Sequence, residues 1–449
     1  MTSGNRSDEP QCIDNADARR RLGGIADVLV LHDRDIVNRV DDSVARIMDG
    51  APRLLRRARG YAPAPLTLPK AMAALPPVLA MGGELKNTLC LLQDGQAVLS
   101  QHLGDLHDAA TAREFEQTIQ LYRRLYEHKP AAVAVDAHPS YHASRVGRGL
   151  GAELGVPVLE LQHHRAHIAA VLADNQWPAD GLPVLGIALD GSGYGDDGSV
   201  WGGEWLVGGY TNLLRVAHLR QVPLPGGSKA ILEPWRMLFA HLDAAFGWDT
   251  FLRERSDLAL AQDLAARPVG LLRRMLAGGI NAPLTSSCGR LFDAVAAAVG
   301  ICTDAIAYEG QAAIELETHC GPLEEATGYP FAFTDQASAG VLDPAPMWRA
   351  LCDDLAAGAD ARQVATRFHA GLADALTELS VELAAAHGVA TVALSGGVLQ
   401  NRTLFEALCA RLRAAGLVVL SHHRLPSNDG GLALGQAVAA ALLLQAKVR

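Results

Sequence analysis

The pattern of hydrophobic and polar positions divides the chain near residue 69. Residues 1–25 are polar and predict a flexible N-terminus in which 15–22 can form a short helix. The run Ala-Asp-Val-Leu-Val-Leu over 26–31 has strand character, a turn falls at 32–35, and a mixed apolar and polar segment continues to 48. Residues 53–68 include Gly60-Tyr-Ala-Pro-Ala-Pro65, whose prolines predict a stiff linker.

Beyond residue 69 strands and helices alternate. Two apolar runs flank Gln93-Asp94-Gly95, and an Asp-Gly pair between such runs predicts a β-hairpin, because its tight turn needs positive φ. The pattern then predicts a helix over 111–128, a strand over 131–136, a helix over 140–154, a strand over 158–162 and a helix beginning within 163–167. A strand over 183–190 leads into the glycine-rich turn Asp190-Gly-Ser-Gly-Tyr-Gly195. Residues 230–320 are helical in pattern. A long helix over 361–386 precedes a strand (389–394), the turn Ser395-Gly-Gly397, a helix (400–415) and a strand (417–421). Asn428-Asp-Gly-Gly431 opens an apolar last helix. This order predicts two α/β lobes around a cleft, 69–215 and 216–449, with the last helix able to return to the first lobe. Residues 26–68 stand apart as a small α+β segment.

Composition narrows the classes. The 449 residues suffice for roughly three domains. With 49% hydrophobic and 20% charged residues, wholesale disorder is excluded. The formal charge of −10 argues against a nucleic-acid partner, which needs a concentrated basic face. Seven cysteines lie scattered with no CxxC pair, against a disulfide framework or cysteine zinc finger, so the chain is expected to be cytosolic. The N-terminus lacks the apolar core of a signal peptide. The apolar stretch 431–444 is short for a bilayer and carries Gln436, so it reads as a buried helix and no membrane partner is expected.

The densest chemical cluster is His163-His-Arg-Ala-His167. On a helix His163 and His167 share one face, where two imidazoles can bind one divalent cation; the bland alternative is local capping. His164 projects elsewhere. Asp190 and Asp429 each lie beside glycine after a strand, as ligand-facing carboxylates or as turn formers. Two imidazoles and two carboxylates suit iron or zinc. Gly82-Gly-Glu84, Asp190-Gly-Ser-Gly193 and Ser395-Gly-Gly397 are candidate anion cradles, since glycine lets backbone N–H groups approach a phosphate. There is no Walker motif and no dinucleotide fingerprint. Ser286-Ser-Cys-Gly289-Arg-Leu-Phe-Asp293 and Tyr308-Glu-Gly-Gln311 read as ribose or base contacts or as helix starts. Cys288 reads as a buried small residue. Glu233-Pro-Trp-Arg236 reads either as substrate contact or as a helix start.

Five segments together are specific: Gln162-His-His-Arg-Ala-His-Ile-Ala-Ala170, Leu189-Asp-Gly-Ser-Gly-Tyr-Gly195, 286–293, Leu394-Ser-Gly-Gly-Val-Leu-Gln-Asn-Arg402 and Pro426-Ser-Asn-Asp-Gly-Gly-Leu-Ala-Leu-Gly-Gln436. From about residue 69 onward the chain resembles the hydrogenase-maturation carbamoyltransferase family, HypF, through its TsaD-like transferase domain. Residues 31–65 resemble the end of that family's YrdC-like domain. The resemblance implies a two-lobed actin/hexokinase-type fold, a metal held by His163, His167, Asp190 and Asp429, and nucleotide contacts from Gly191, Ser192, Gly193, Gly396, Gly397 and Asn401, with Ser286, Asp293 and Glu309 as further candidates. It implies transfer of a carbamoyl group from carbamoyl-adenylate, made from ATP and carbamoyl phosphate, to the C-terminal cysteine of the partner HypE, where dehydration gives the cyanide ligand of [NiFe]-hydrogenase. The acylphosphatase-like domain, the cysteine zinc fingers and most of the YrdC-like domain of that family have no counterpart here, and Ser228 and Leu232 stand where charged residues are expected. The chain thus resembles the second half-reaction alone, with adenylate supplied by another polypeptide. A tRNA threonylcarbamoyltransferase-like enzyme is the nearer rival; the Asp190–Gly195 motif and the arginine-rich 53–59 segment fit HypF better. A non-catalytic module binding nucleotide or a partner is the rival from another class, and retention of all four candidate ligands opposes it.

Overall fold

The computed structural model describes residues 4–6, 9–336 and 339–448. The chain forms two compact units: 1–47 with 52–181 and 422–449, and 182–421 with 48–51.

In the first unit the described residues form a six-stranded sheet in the order Leu66–Thr67, Gln96–Leu99, Cys90–Gln93, Val78–Ala80, Ala132–Asp136, Val158–Leu161. The first four strands pair antiparallel, and the last two run parallel to Val78–Ala80. The expected hairpin turns at Asp94 and Gly95, both at positive φ (52° and 70°). Val78–Ala80 and Ala132–Asp136 are buried throughout, which explains their unbroken apolar runs. Leu79, Leu91, Val133 and Val135 pack with Phe115, Ile119 and Tyr122 of the Ala109–Leu125 helix. The Leu432–Val448 helix returns from the end of the chain to pack on five of these strands and along the His163–Asp174 helix.

The second unit repeats the scheme. Val184–Tyr194, Val200–Gly208 and Leu214–Leu219 form an antiparallel meander, and Thr391–Ser395 and Val418–Leu420 add in parallel beside the first of them. Numbered along the chain, these five core strands stand in the spatial order 3-2-1-4-5. The first unit's strands from Val78–Ala80 to Val158–Leu161 stand in that order too, with the same parallel and antiparallel pairings. Carboxyl ends of adjacent parallel strands are where open α/β sheets present ligand-binding loops. Those ends carry Gly82-Gly-Glu84 and Asp136 in one unit and Ser395-Gly-Gly397 in the other, where Asp190 lies within Val184–Tyr194 just past the residues paired with Thr391–Ser395.

Four sequence expectations need correction. Residues 26–31 form no strand: Val28 and Val30 are 79% and 94% exposed, and no ladder among the described residues pairs with them. The N-terminus is not uniformly flexible, because Asp14 caps the Asn15–Leu22 helix and Arg21 reaches Glu9, Asp17 and the carbonyl of Pro10. The boundary drawn at 215/216 would cut the Leu214–Leu219 strand off its ladder; the units instead part at 181/182 and 421/422. The terminal helical stretch Asp429–Lys447 spans 19 residues and is long and apolar enough to cross a membrane, yet 67% of it is buried. Its Gln436 is satisfied inside, accepting from Gly82 N–H and donating to Gly82 O.

Candidate metal centre

Strand Val158–Leu161 ends at Gln162, whose side chain accepts from Arg165 N–H and caps the His163–Asp174 helix. The cap fixes the helix start, so His163 occupies the first turn and His167 the next on the same face. Their rings lie 4.9 Å apart at 72° and both side chains are buried. The His164 ring turns to Gln162, with Nδ1 3.2 Å from the amide nitrogen.

Asp429 reaches the same point from the end of the chain. Asn428 caps the turn, accepting from Gly430 N–H and donating to Leu55 O, and Thr88 Oγ1 donates to Gly430 O. The Nε2 atoms of His163 and His167 each lie 3.4 Å from Asp429 Oδ1. One donor atom from each of the three residues falls within 4.8 Å of the others. Burial alone would raise the Asp429 carboxyl, but the two imidazoles outweigh it and hold the group far below the ordinary carboxylate range. Gly83 makes room: a Cβ there would lie 2.8 Å from Asp429 Oδ2. Two imidazole nitrogens and a carboxylate oxygen at one buried point fit a divalent cation of the iron or zinc kind.

Two acids that sequence reasoning missed hold this arrangement. Asp136 ends the wholly buried strand Ala-Val-Ala-Val-Asp, and its Oδ2 lies 2.7 Å from His163 Nδ1. The available signal was a carboxylate closing an otherwise apolar strand. Asp174, at the far end of the histidine helix, accepts from His423 N–H (2.8 Å), Arg424 N–H (3.2 Å) and Arg424 Nε (3.0 Å). Burial opposes its charge, but these donors and His422 prevail and set the carboxyl at about 2. Asp174 thereby ties down the segment that leads to Asp429.

The other candidate residues lie on the second unit. Asp190-Gly-Ser-Gly-Tyr194 is not a turn. It continues the Val184–Tyr194 strand, with Gly193 opposite Trp201, because small residues on both strands let the backbones approach. Asp190 Oδ1 accepts from Gly397 N–H (3.1 Å), so a carboxylate already engages that glycine loop as an anion. Gly396 has φ +109° and lies against Leu189, where a Cβ would sit 2.1 Å from the carbonyl oxygen. Ser287 Oγ donates to Asp190 O and Gly191 O, tying the 286–293 segment to the strand that holds Gly191, Ser192 and Gly193. Ser286 Oγ donates to the fully buried Glu204, a further acid that sequence reasoning missed. Asp293 is paired with Arg290 at 2.6 Å, and burial pushes its carboxyl up despite the pair. Asn401 caps the Arg402–Ala414 helix and donates to His369 Nε2, so the fold already uses its amide. Glu309 is exposed just before the Gln311–His319 helix. Cys288 is buried, with its thiol pushed up to about 12. Glu233 and Arg236 pair across the start of the Trp235–Phe246 helix, which is the helix-start reading of that motif.

Comparison with known proteins bears on these residues. The family profile described as the second subdomain of the carbamoyltransferase Kae1-like domain matches residues 186–436, and the HypF Kae1-like domain matches 73–174. The chain belongs to the HypF family. A telomere-recombination (Sua5/YciO/YrdC) profile matches 1–58, so the YrdC-like likeness begins earlier than residue 26. The carbamoyltransferase HypF of Rhodobacter capsulatus is 46% identical over 445 residues, covering 99% of this chain and 57% of its own length. A carbamoyltransferase HypF homolog of Cupriavidus necator is 40% identical over 372 residues, 81% of this chain and 91% of its own. The crystal structure of a full-length HypF in its phosphate- and nucleotide-bound form superposes with a TM-score of 0.89 at 36% identity, over 99% of this chain and 56% of that one. The chain thus spans little more than half the length of its full-size HypF relatives. Its fold is of the expected α/β class, with a YrdC-like N-terminal segment.

Proposed function

We propose that this HypF-family chain transfers the carbamoyl group of carbamoyl-adenylate to the C-terminal cysteine thiolate of HypE, in making the cyanide ligand of [NiFe]-hydrogenase. The observation that carries the reading is the His163, His167 and Asp429 donor set inside a chain matched by both Kae1-like subdomains. These three residues would hold iron or zinc, with Asp190 as fourth donor on the family resemblance alone. Such a cation supplies Lewis-acid polarisation of a carbamoyl or phosphate oxygen.

The chain's own residues bind and orient. Backbone N–H groups around Gly191–Gly193 and Gly396–Gly397 hold the AMP phosphate, and the contact of Gly397 N–H with a carboxylate supports that role. The partner's sulfur bonds to the carbonyl carbon, the carbon–oxygen bond to phosphate breaks, and AMP leaves with that electron pair. Burial raises the thiols of Cys12, Cys90, Cys288, Cys302, Cys320 and Cys352, which supports a nucleophile from the partner.

The test is single-turnover transfer from preformed carbamoyl-adenylate to purified HypE, with metal measured on the same sample. Thiocarbamate formed without ATP supports the reading. No transfer from a folded, metal-loaded chain overturns it and leaves a nucleotide- or partner-binding module.

A further inference from the structure

We infer that Asp136 is a positioning residue that fixes the tautomer of His163, with Nδ1 protonated toward Asp136 and the Nε2 lone pair directed toward Asp429 and a cation. The inference rests on the metal reading above and deepens it.

The Asp136 side chain is fully buried, and its own position is fixed from two sides. Its Oδ1 accepts from His138 N–H at 2.8 Å, while its main-chain oxygen accepts from Ser144 Oγ at 2.8 Å. The second carboxylate oxygen, Oδ2, then faces His163 Nδ1 at 2.7 Å. A buried carboxylate oxygen facing an unprotonated ring nitrogen would set two lone pairs against each other, so the proton at the 2.7 Å contact sits on Nδ1; at Nε2, 3.4 Å from Asp429 Oδ1, the same repulsion is relieved by a cation bound between the two atoms. A neutral imidazole protonated there presents its lone pair at Nε2, the atom 3.4 Å from Asp429 Oδ1. Carboxylate partners of this kind orient metal-binding histidines and raise their basicity.

The tautomer argument makes a prediction that packing alone reverses. In Asp136→Asn the amide oxygen stays on His138 N–H, because the opposite flip would set two donors face to face. The NH2 group therefore points at His163 Nδ1 and makes it an acceptor. The ring proton moves to Nε2 and blocks ligation. In Asp136→Ala no donor is imposed on Nδ1 and either tautomer is open, although the cavity costs more stability.

Zinc affinity of the purified full chain is measured by competition with a chromophoric chelator for wild type, Asp136→Asn and Asp136→Ala, alongside thermal unfolding of the zinc-free proteins. Asp136→Asn is expected to weaken zinc binding about ten- to a hundredfold. Asp136→Ala is expected to weaken it less, while lowering the unfolding temperature more. Wild-type affinity in Asp136→Asn overturns the inference, as does weaker binding by the alanine variant than by the asparagine one. A wild-type chain that binds neither zinc nor ferrous iron overturns the metal reading itself, and this inference with it.

Discussion

Gly435 lies against the carbonyl of Ala166: a Cβ at 435 would stand 1.8 Å from that oxygen and 2.7 Å from Ala170 N. This contact lets the C-terminal helix cross the histidine helix at backbone distance, only six residues after Asp429. Gly435→Ala is expected to destabilise the chain by about 1–3 kcal/mol through overpacking. It should also weaken zinc binding, since the two helices carry the imidazoles and lead from the carboxylate. Chemical denaturation and zinc titration on the same variant check both effects.

His163→Ala and Asp429→Ala each remove a donor while leaving Asp174, Gln162 and Asn428 in their capping and tying roles. Both variants are expected to stay folded by circular dichroism and to lose metal. With free zinc at a hundredfold its dissociation constant, the wild type should gain about 3 kcal/mol of stability. The variants should gain none, and chelation should return the wild type to its zinc-free melting temperature. Unfolding of both variants would show that the pair serves the core instead.

Gly83→Ala tests the carboxylate without replacing a ligand. The added methyl meets Asp429 Oδ2 at 2.8 Å and the Leu432 side chain at 3.3 Å, so the acid must turn away. Zinc affinity is expected to fall about tenfold. Far-ultraviolet dichroism should be unchanged, because the methyl meets side chains and not backbone.

Asp174 predicts an acid-sensitive tie. Its carboxyl sits at about 2 in the folded chain, below the ordinary range, so its stabilisation is complete above pH 4 or so and is lost as pH falls toward 2. The shift corresponds to about 2 kcal/mol. Urea unfolding should place Asp174→Asn below the wild type by at least that amount near neutral pH, because the variant also loses charge-assisted bonds to Arg424. The gap should close progressively in acid.

Local chemistry made much of the fold legible. Asp94-Gly95 announces its hairpin because few other pairs accept positive φ in succession. His163 and His167 announce their shared face because helical spacing is fixed. Other features depend on neighbours the sequence does not display. Residues 26–31 are an apolar run like that of a strand, yet no ladder among the described residues pairs with them, whereas Asp190–Tyr194 looks like a turn yet is a strand because Trp201 and its neighbours pair with it. Asp136 stands 27 residues from His163, and only the parallel pairing of Ala132–Asp136 with Val158–Leu161 brings the two into register. Asp429 was placed beside the histidines by family resemblance, since nothing in its own sequence neighbourhood specifies the partner.

The return of residues 422–449 to the first unit has a consequence during synthesis. The histidine helix leaves the ribosome some 260 residues before Asp429, and Gly82 waits 354 residues for its partner Gln436. Closing so long a loop is entropically slow, and the whole second unit must be translated before it can happen. A nascent chain therefore holds the imidazoles without their carboxylate, and the completed donor set reports that translation has passed through every intervening residue.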